Sequence, residues 1–167
     1  MSSFLHVEGT FAGIAKGLFP DANYAIGYPD ELNLAAEDSE NLFIGLNMFM
    51  VFNRSKADAS TEETTVTIEF ALRDTFETNS EQQMNILQSC EICANAFLNE
   101  LDAESLKEYI SVTSVRKVPF RKKYASTNSG MLLEIGLSIS TCFVVQVPRT
   151  QYIQEISRNV NPIDWQL

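Results

Sequence analysis

The sequence predicts an α+β protein: an antiparallel sheet of about four strands, arranged as two hairpins, packed on one face by an N-terminal and a central helix. A C-terminal extension follows. Three observations predict this. Apolar residues recur at helical spacing in residues 3–18 and 80–101. They alternate at strand spacing in residues 65–76 and 131–143. Polar connections separate the two members of each strand pair, the mark of a hairpin. A chain of 167 residues that is 45% apolar and 20% charged is long enough to bury a core without metals or disulfides. The same composition excludes disordered and collagen-like classes. One domain over 1–143 and an extension over 144–167 are expected.

Taken in order, residues 3–18 form an amphipathic helix on which Phe4, Val7, Phe11, Ile14 and Leu18 share one face. Ser2 or Ser3 caps it, and Pro20 stops it. Gly9, Gly13 and Gly17 make a flat stripe at spacings of four, read as a surface that lets the helix lie close to a neighbour. Residues 20–41 are expected to be mostly irregular. Within them Tyr24 to Tyr28 forms a short strand ended by Pro29-Asp30, and the acidic stretch 37–41 forms an exposed loop.

Leu42 to Phe52 is apolar on both faces, as expected for a central strand covered on both sides or buried in an interface. Residues 53–64 lack any large apolar side chain and predict an exposed loop of 12 residues. The strand Thr65–Phe76 then turns Val66, Ile68, Phe70 and Leu72 to one side. Ser80 and Gln83 read as a capping box. The helix they open carries a stripe of Ile86, Cys90, Cys93 and Phe97 down to about Leu101. Tyr109–Phe120 is a strand whose Pro119 suits an edge or an exit. Residues 121–130 predict a ten-residue basic loop, and Met131–Phe143 a regular strand. Both hairpin loops exceed the usual two to five residues, which makes them candidate contact arms. The extension carries Pro148, Pro162 and the only tryptophan, Trp165, whose indole favours docking on this chain or on a neighbour.

Charge divides the chain. The net charge is −10, yet residues 1–109 hold 19 acids against 5 bases and residues 110–167 hold 3 acids against 7 bases. Five of the 12 bases lie between Arg116 and Lys123. An acidic body is a poor general nucleic-acid binder, because phosphate affinity needs broad positive surface. A basic segment on an acidic body suits self-association, in which that segment meets the acidic flank of the next copy. A solvated loop that keeps the protein soluble explains the same run.

No apolar run reaches the length of a membrane span. Residues 1–19 carry Glu8 and Lys16 and lack a basic leader, so they do not read as a signal peptide. Three cysteines fit thiols in a reducing interior.

Catalytic chemistry is sparse. His6 is the only histidine and lies in the first helix, with no nucleophile elbow elsewhere. Cys90, Cys93 and Cys142 with His6 complete a zinc inventory on paper. The Cys-x-x-Cys pair falls in mid-helix on an apolar stripe, where thiols act as small apolar groups. No glycine-rich phosphate loop is present. No catalytic, cofactor-binding or metal-binding residue is therefore expected, and no cofactor.

The order helix, YAIGYPDEL, FIGLNMFMVFNRS, TIEFALRDTF, NSEQQMNILQSCEICANAFLNEL, a valine-rich strand and MLLEIGLSISTCF resembles the tail-completion and neck-connector proteins of tailed bacteriophages, including the tail terminator type. The resemblance covers nearly the whole chain and lies in the strand–strand–helix–strand–strand order with differently charged arms. It implies a virion protein of the head-to-tail neck, assembled in the host cytoplasm. Such a protein forms a hexameric or dodecameric ring that contacts other neck, portal-side or tail proteins. DNA would pass through it without specific binding, and no membrane would be involved. The extension 144–167 departs from the family pattern. The expected inter-subunit contacts are Arg116, Lys117, Arg121, Lys122, Lys123 and Tyr124 from one arm, Arg54 and Lys56 from the other, and Trp165. Two alternatives stay open: a small non-enzymatic adaptor acting as monomer or dimer, and a zinc or redox protein using Cys90, Cys93 and Cys142.

Overall fold

Residue periodicity becomes three helices and a mixed sheet. The structure, a computed structural model, describes residues 3–54, 60–74, 79–108, 110–123 and 127–140. Helix α1 (Ser3–Leu18) leads through strand β1 (Asn23–Gly27) to helix α2 (Pro29–Glu37), then β2 (Phe43–Asn47), β3 (Asn53–Arg54) and β4 (Thr61–Asp74). Helix α3 (Ser80–Glu108), β5 (Ile110–Lys123) and β6 (Thr127–Ser140) follow. The sheet runs β1-β2-β4-β6-β5, with β3 paired to the start of β4. Strands β1 and β2 are parallel, and the other pairs are antiparallel. The α+β class holds, with six strands in place of about four.

Alternation decides the faces. Val66, Ile68 and Phe70 of β4 and Leu133, Ile135 and Leu137 of β6 turn to the same side and are fully or almost fully buried. Helices α1 and α3 close over them with Val7, Phe11, Cys90, Ala94, Phe97 and Leu101. Four phenylalanines tie the layers together. Phe97 stands edge-on to Phe11 at 5.2 Å and to Phe70 at 5.7 Å, and Phe70 to Phe19 at 6.3 Å. Edge-to-face pairs of this kind add about 0.5–1.5 kcal/mol each beyond burial.

The second face is where the expectation of irregular residues 20–41 fails. Pro29 ends β1 but also starts α2, because proline's fixed φ and missing N–H suit the first helical turn. The Glu31 carboxylate accepts the Tyr28 N–H at 2.8 Å and completes the start. Helix α2 lays Leu32 and Ala36 on Phe43 and Ala71 and so covers the far face of the sheet near β1 and β2. Strand β2 is consequently covered on both faces, as its sequence requires. It stops at Asn47, so residues 48–52 are not strand.

Both expected long loops shrink. Asn53 and Arg54 pair with Glu63 and Glu62, and β4 begins at Thr61 rather than Thr65. Arg121 to Lys123 pair with Ser129 to Thr127, so most of the ten-residue basic loop is sheet. Helix α3 also runs past Leu101 to Glu108. Its cap is Asn79 with Gln82, not Ser80 with Gln83. Asn79 Oδ1 accepts the Gln82 N–H at 2.9 Å, and Gln82 Oε1 accepts the Asn79 N–H at 3.2 Å.

The α1 glycine stripe is exposed, and a Cβ at Gly9, Gly13 or Gly17 would meet nothing within 4 Å. The stripe therefore does not seat the helix against a described neighbour. No described helix is long and apolar enough to cross a membrane.

Candidate assembly surface

Two sheet edges differ in kind. At one end lies β5, 14 residues long and paired only with β6 among the described strands. At the other lies β1, five residues long and, among the described strands, paired only with β2. Edge strands expose unpaired backbone groups and are commonly guarded by charge, proline or bulges. Strand β5 has all three. Pro119 cannot donate to a neighbouring strand, and the ladder slips between Val112 and Ser114. Gly136 sits opposite that slip, where a Cβ would come within 2.7 Å of Thr113 Oγ1.

The expected basic contacts are brought together in part. Arg116, Lys117, Arg121, Lys122 and Lys123 all belong to β5. Arg116 is 72% exposed, and its Nη1 lies 3.1 Å from Glu134 Oε2 on β6. Lys117 Nζ lies 3.6 Å from Glu91 Oε1 on α3 and donates to Asn95 Oδ1. Arg121 turns inward, with Nε 3.1 Å from Asp74 Oδ2, a carboxylate with no exposed side-chain surface. Ser129 Oγ donates to the same oxygen at 2.7 Å. That group locks the ends of β4, β5 and β6, since a buried carboxylate needs charge or hydrogen-bond partners. Arg121 is thus committed to the fold. Arg54 is exposed on β3 and does not join this group. Its register through Glu62 and Ile139 aligns it with Ile110, at the far end of β5 from Lys122 and Lys123. Lys56, Tyr124, Trp165 and the extension 144–167 lie outside the described residues.

Charge counting by edge finds what motif reading missed. Between Lys16 and Arg54 the chain has six acids and no base. These residues build β1, α2 and β2, so the β1 end of the sheet is acidic while β5 carries five bases and no acid. Asp21, Asp30, Glu31, Asp38 and Glu40 are exposed there. Among them stand two exposed large apolar groups, Tyr28 (53%) and Leu34 (65%). Phe49, 71% exposed, follows β2 on a hydrogen-bonded turn. Met48 N–H donates to Gly27 O, Phe49 N–H to Asn47 Oδ1, and Met50 N–H to Met48 O.

The thiols occupy the other side of the molecule. Burial, assisted by the neighbouring Cys93, pushes the Cys90 thiol up to about 12, with a backbone hydrogen bond at Leu72 opposing the shift. Burial also pushes Cys93 up. A thiol held protonated is a poor metal ligand and nucleophile. No group of three or more His, Cys, Asp or Glu among the described residues is placed to hold a metal; Cys142 lies outside them.

Compared with known protein families and with curated proteins, the chain matches none. The reading of this surface therefore rests on its own geometry and on the resemblance in element order.

Proposed function

We propose that the chain is a non-enzymatic structural protein of a tailed-phage virion, forming an oligomeric ring in the head-to-tail neck. The observation that carries this reading is the open sheet with two unlike edges. A closed ring needs heterologous contacts, in which one surface meets a different surface on the next copy. An open sheet that ends in a short edge on one side and a long edge on the other supplies two such surfaces. The element order that resembles neck and tail-terminator proteins supports the same role. A net charge of −10 suits a channel, because an acidic wall offers DNA phosphates no broad positive surface to hold them.

In this role the ring assembles in the host cytoplasm and joins the portal side of the capsid to the tail. The test is location. Antibody labelling of purified particles from the source virus should place the chain at the neck, and particles lacking it should accumulate as unjoined heads and tails. Normal joined particles without the chain would refute the role and favour an adaptor acting as monomer or dimer.

A further inference from the structure

The β1 end of the molecule presents exposed apolar groups that the described residues do not bury. Helix α2 buries Leu32 and Ala36 but presents Leu34 to solvent, with Tyr28 exposed at its start. Exposed Asp30, Glu31 and Asp38 lie along and beside the helix, with Glu40 just beyond it. At the β5 end, Lys117 is exposed on the α3 side of the sheet with Val115 (42% exposed), Arg116 is exposed on the opposite side beside Glu134, and Pro119 lies further along the strand.

We infer that the acidic β1–α2 end of one copy docks on the basic β5 edge of the next copy, with Tyr28 and Leu34 at the centre of the contact. This deepens the ring reading and rests on it for the partner's identity. Charge complementarity selects the occupant. The segment that forms β1, α2 and β2 has acids and no base of its own, with Lys16 of α1 standing over the Tyr24 ring. Strand β5 has bases and no acid of its own, and β1 and β5 are the two ends of the sheet order. Within one copy Arg116 and Lys117 meet Glu134 and Glu91 rather than the β1–α2 acids, and a neighbour placed head to tail can bring the two sets together. Apolar groups inside a charged rim match the anatomy of protein interfaces, where aromatic anchors carry the energy and charges set register.

The contact is made by side chains rather than by strand addition. Pro119 lacks the N–H that an added strand would need, and the slip at Val112/Ser114 breaks the ladder. The existing pairs of Arg116 and Lys117 do not prevent it. Both are surface pairs, which contribute little and leave the cations able to share a second acid. Arg121 takes no part, because Asp74 holds it. A nucleic acid would also be drawn to β5, but it would leave the acidic end with Tyr28 and Leu34 unexplained.

The experiment is a charge swap in the full-length chain. One variant carries Asp38→Lys and Glu40→Lys, a second carries Arg116→Glu and Lys117→Glu, and each is checked for folding by circular dichroism and urea unfolding. Sedimentation at low salt should show self-association weakened by about tenfold or more in either variant. Mixing the two variants should restore assembly, because each reversed edge then faces an edge of opposite charge. Should the glutamate pair unfold the chain, Arg116→Gln with Lys117→Gln tests the loss of self-association without new repulsion.

Folded variants that assemble like the parent, or that fail to recover on mixing, would overturn the docking mode. So would a parent chain that stays monomeric at low salt, or a β5 edge that binds DNA without self-association. None of these bears on whether the chain is found at the virion neck, which the labelling experiment reads separately.

Discussion

Gly130 and Gly13 share a residue type and differ in what surrounds them. A Cβ at Gly130 would strike the Phe70 carbonyl oxygen and come within 2.9 Å of the Ala71 Cα, both backbone atoms of the adjacent strand β4. Neither can move without disturbing the central ladder. Gly130→Ala should therefore destabilise by about 1–3 kcal/mol, the usual range for overpacking. Gly13 faces open space in mid-helix, so Gly13→Ala should stabilise by up to about 1 kcal/mol through helix propensity. Urea midpoints check both, and equal effects would contradict the packing. The buried titratable groups act at this scale too. The Cys90 thiol is raised from 9.0 to about 12, and burial with the nearby Glu8 raises the Tyr24 phenol above its usual 10.0. The unfolded chain releases these protons at ordinary values while the native chain retains them. Their contribution is therefore complete below about pH 9 and declines as pH rises toward 12. The urea midpoint should fall between neutral pH and about pH 11, and fall less in Cys90→Ala; a midpoint unchanged across that interval would contradict the burial.

Helix α3 shows how an element's start is fixed by two side chains. With Asn79 and Gln82 bonding reciprocally, Asn79→Ala should cost about 1 kcal/mol while Ser80→Ala is nearly neutral. Thermal unfolding separates the two, and a larger loss at Ser80 would move the cap. The sequence located this helix but ended it at about Leu101 rather than Glu108 and read its cap one residue late, because Ser80–Gln83 and Asn79–Gln82 both have the capping spacing and only geometry chooses. Strands β4 and β6 were legible where alternation buries one face. The polar ends of β4 and β5 were not, since Thr61–Thr64 and Arg121–Lys123 carry no large apolar residue, and polarity there looks like loop. Helix α2 was hidden for a related reason. Only Leu32 and Ala36 of its nine residues are buried, too short a stripe to stand out beside acids, and Pro29 reads equally as a strand's end or a helix's first residue.

At the scale of the molecule, the candidate surface was legible as charge but not as shape. Arg116 to Lys123 announced a basic segment, and the structure carries the expected strand past Phe120 to Lys123, so that the whole segment lies on β5. Its counterpart became visible only when sheet order put β1 at the opposite end, with α2 on the sheet face beside it. The central claim is that these unlike edges make copies associate head to tail. Light scattering behind a sizing column, at low and at physiological salt with negative-stain imaging of the main peak, tests it most directly. The account predicts closed rings of many copies that loosen as salt screens the edges. A monomer at both salts, or a two-fold dimer joined through one self-complementary patch, would contradict it.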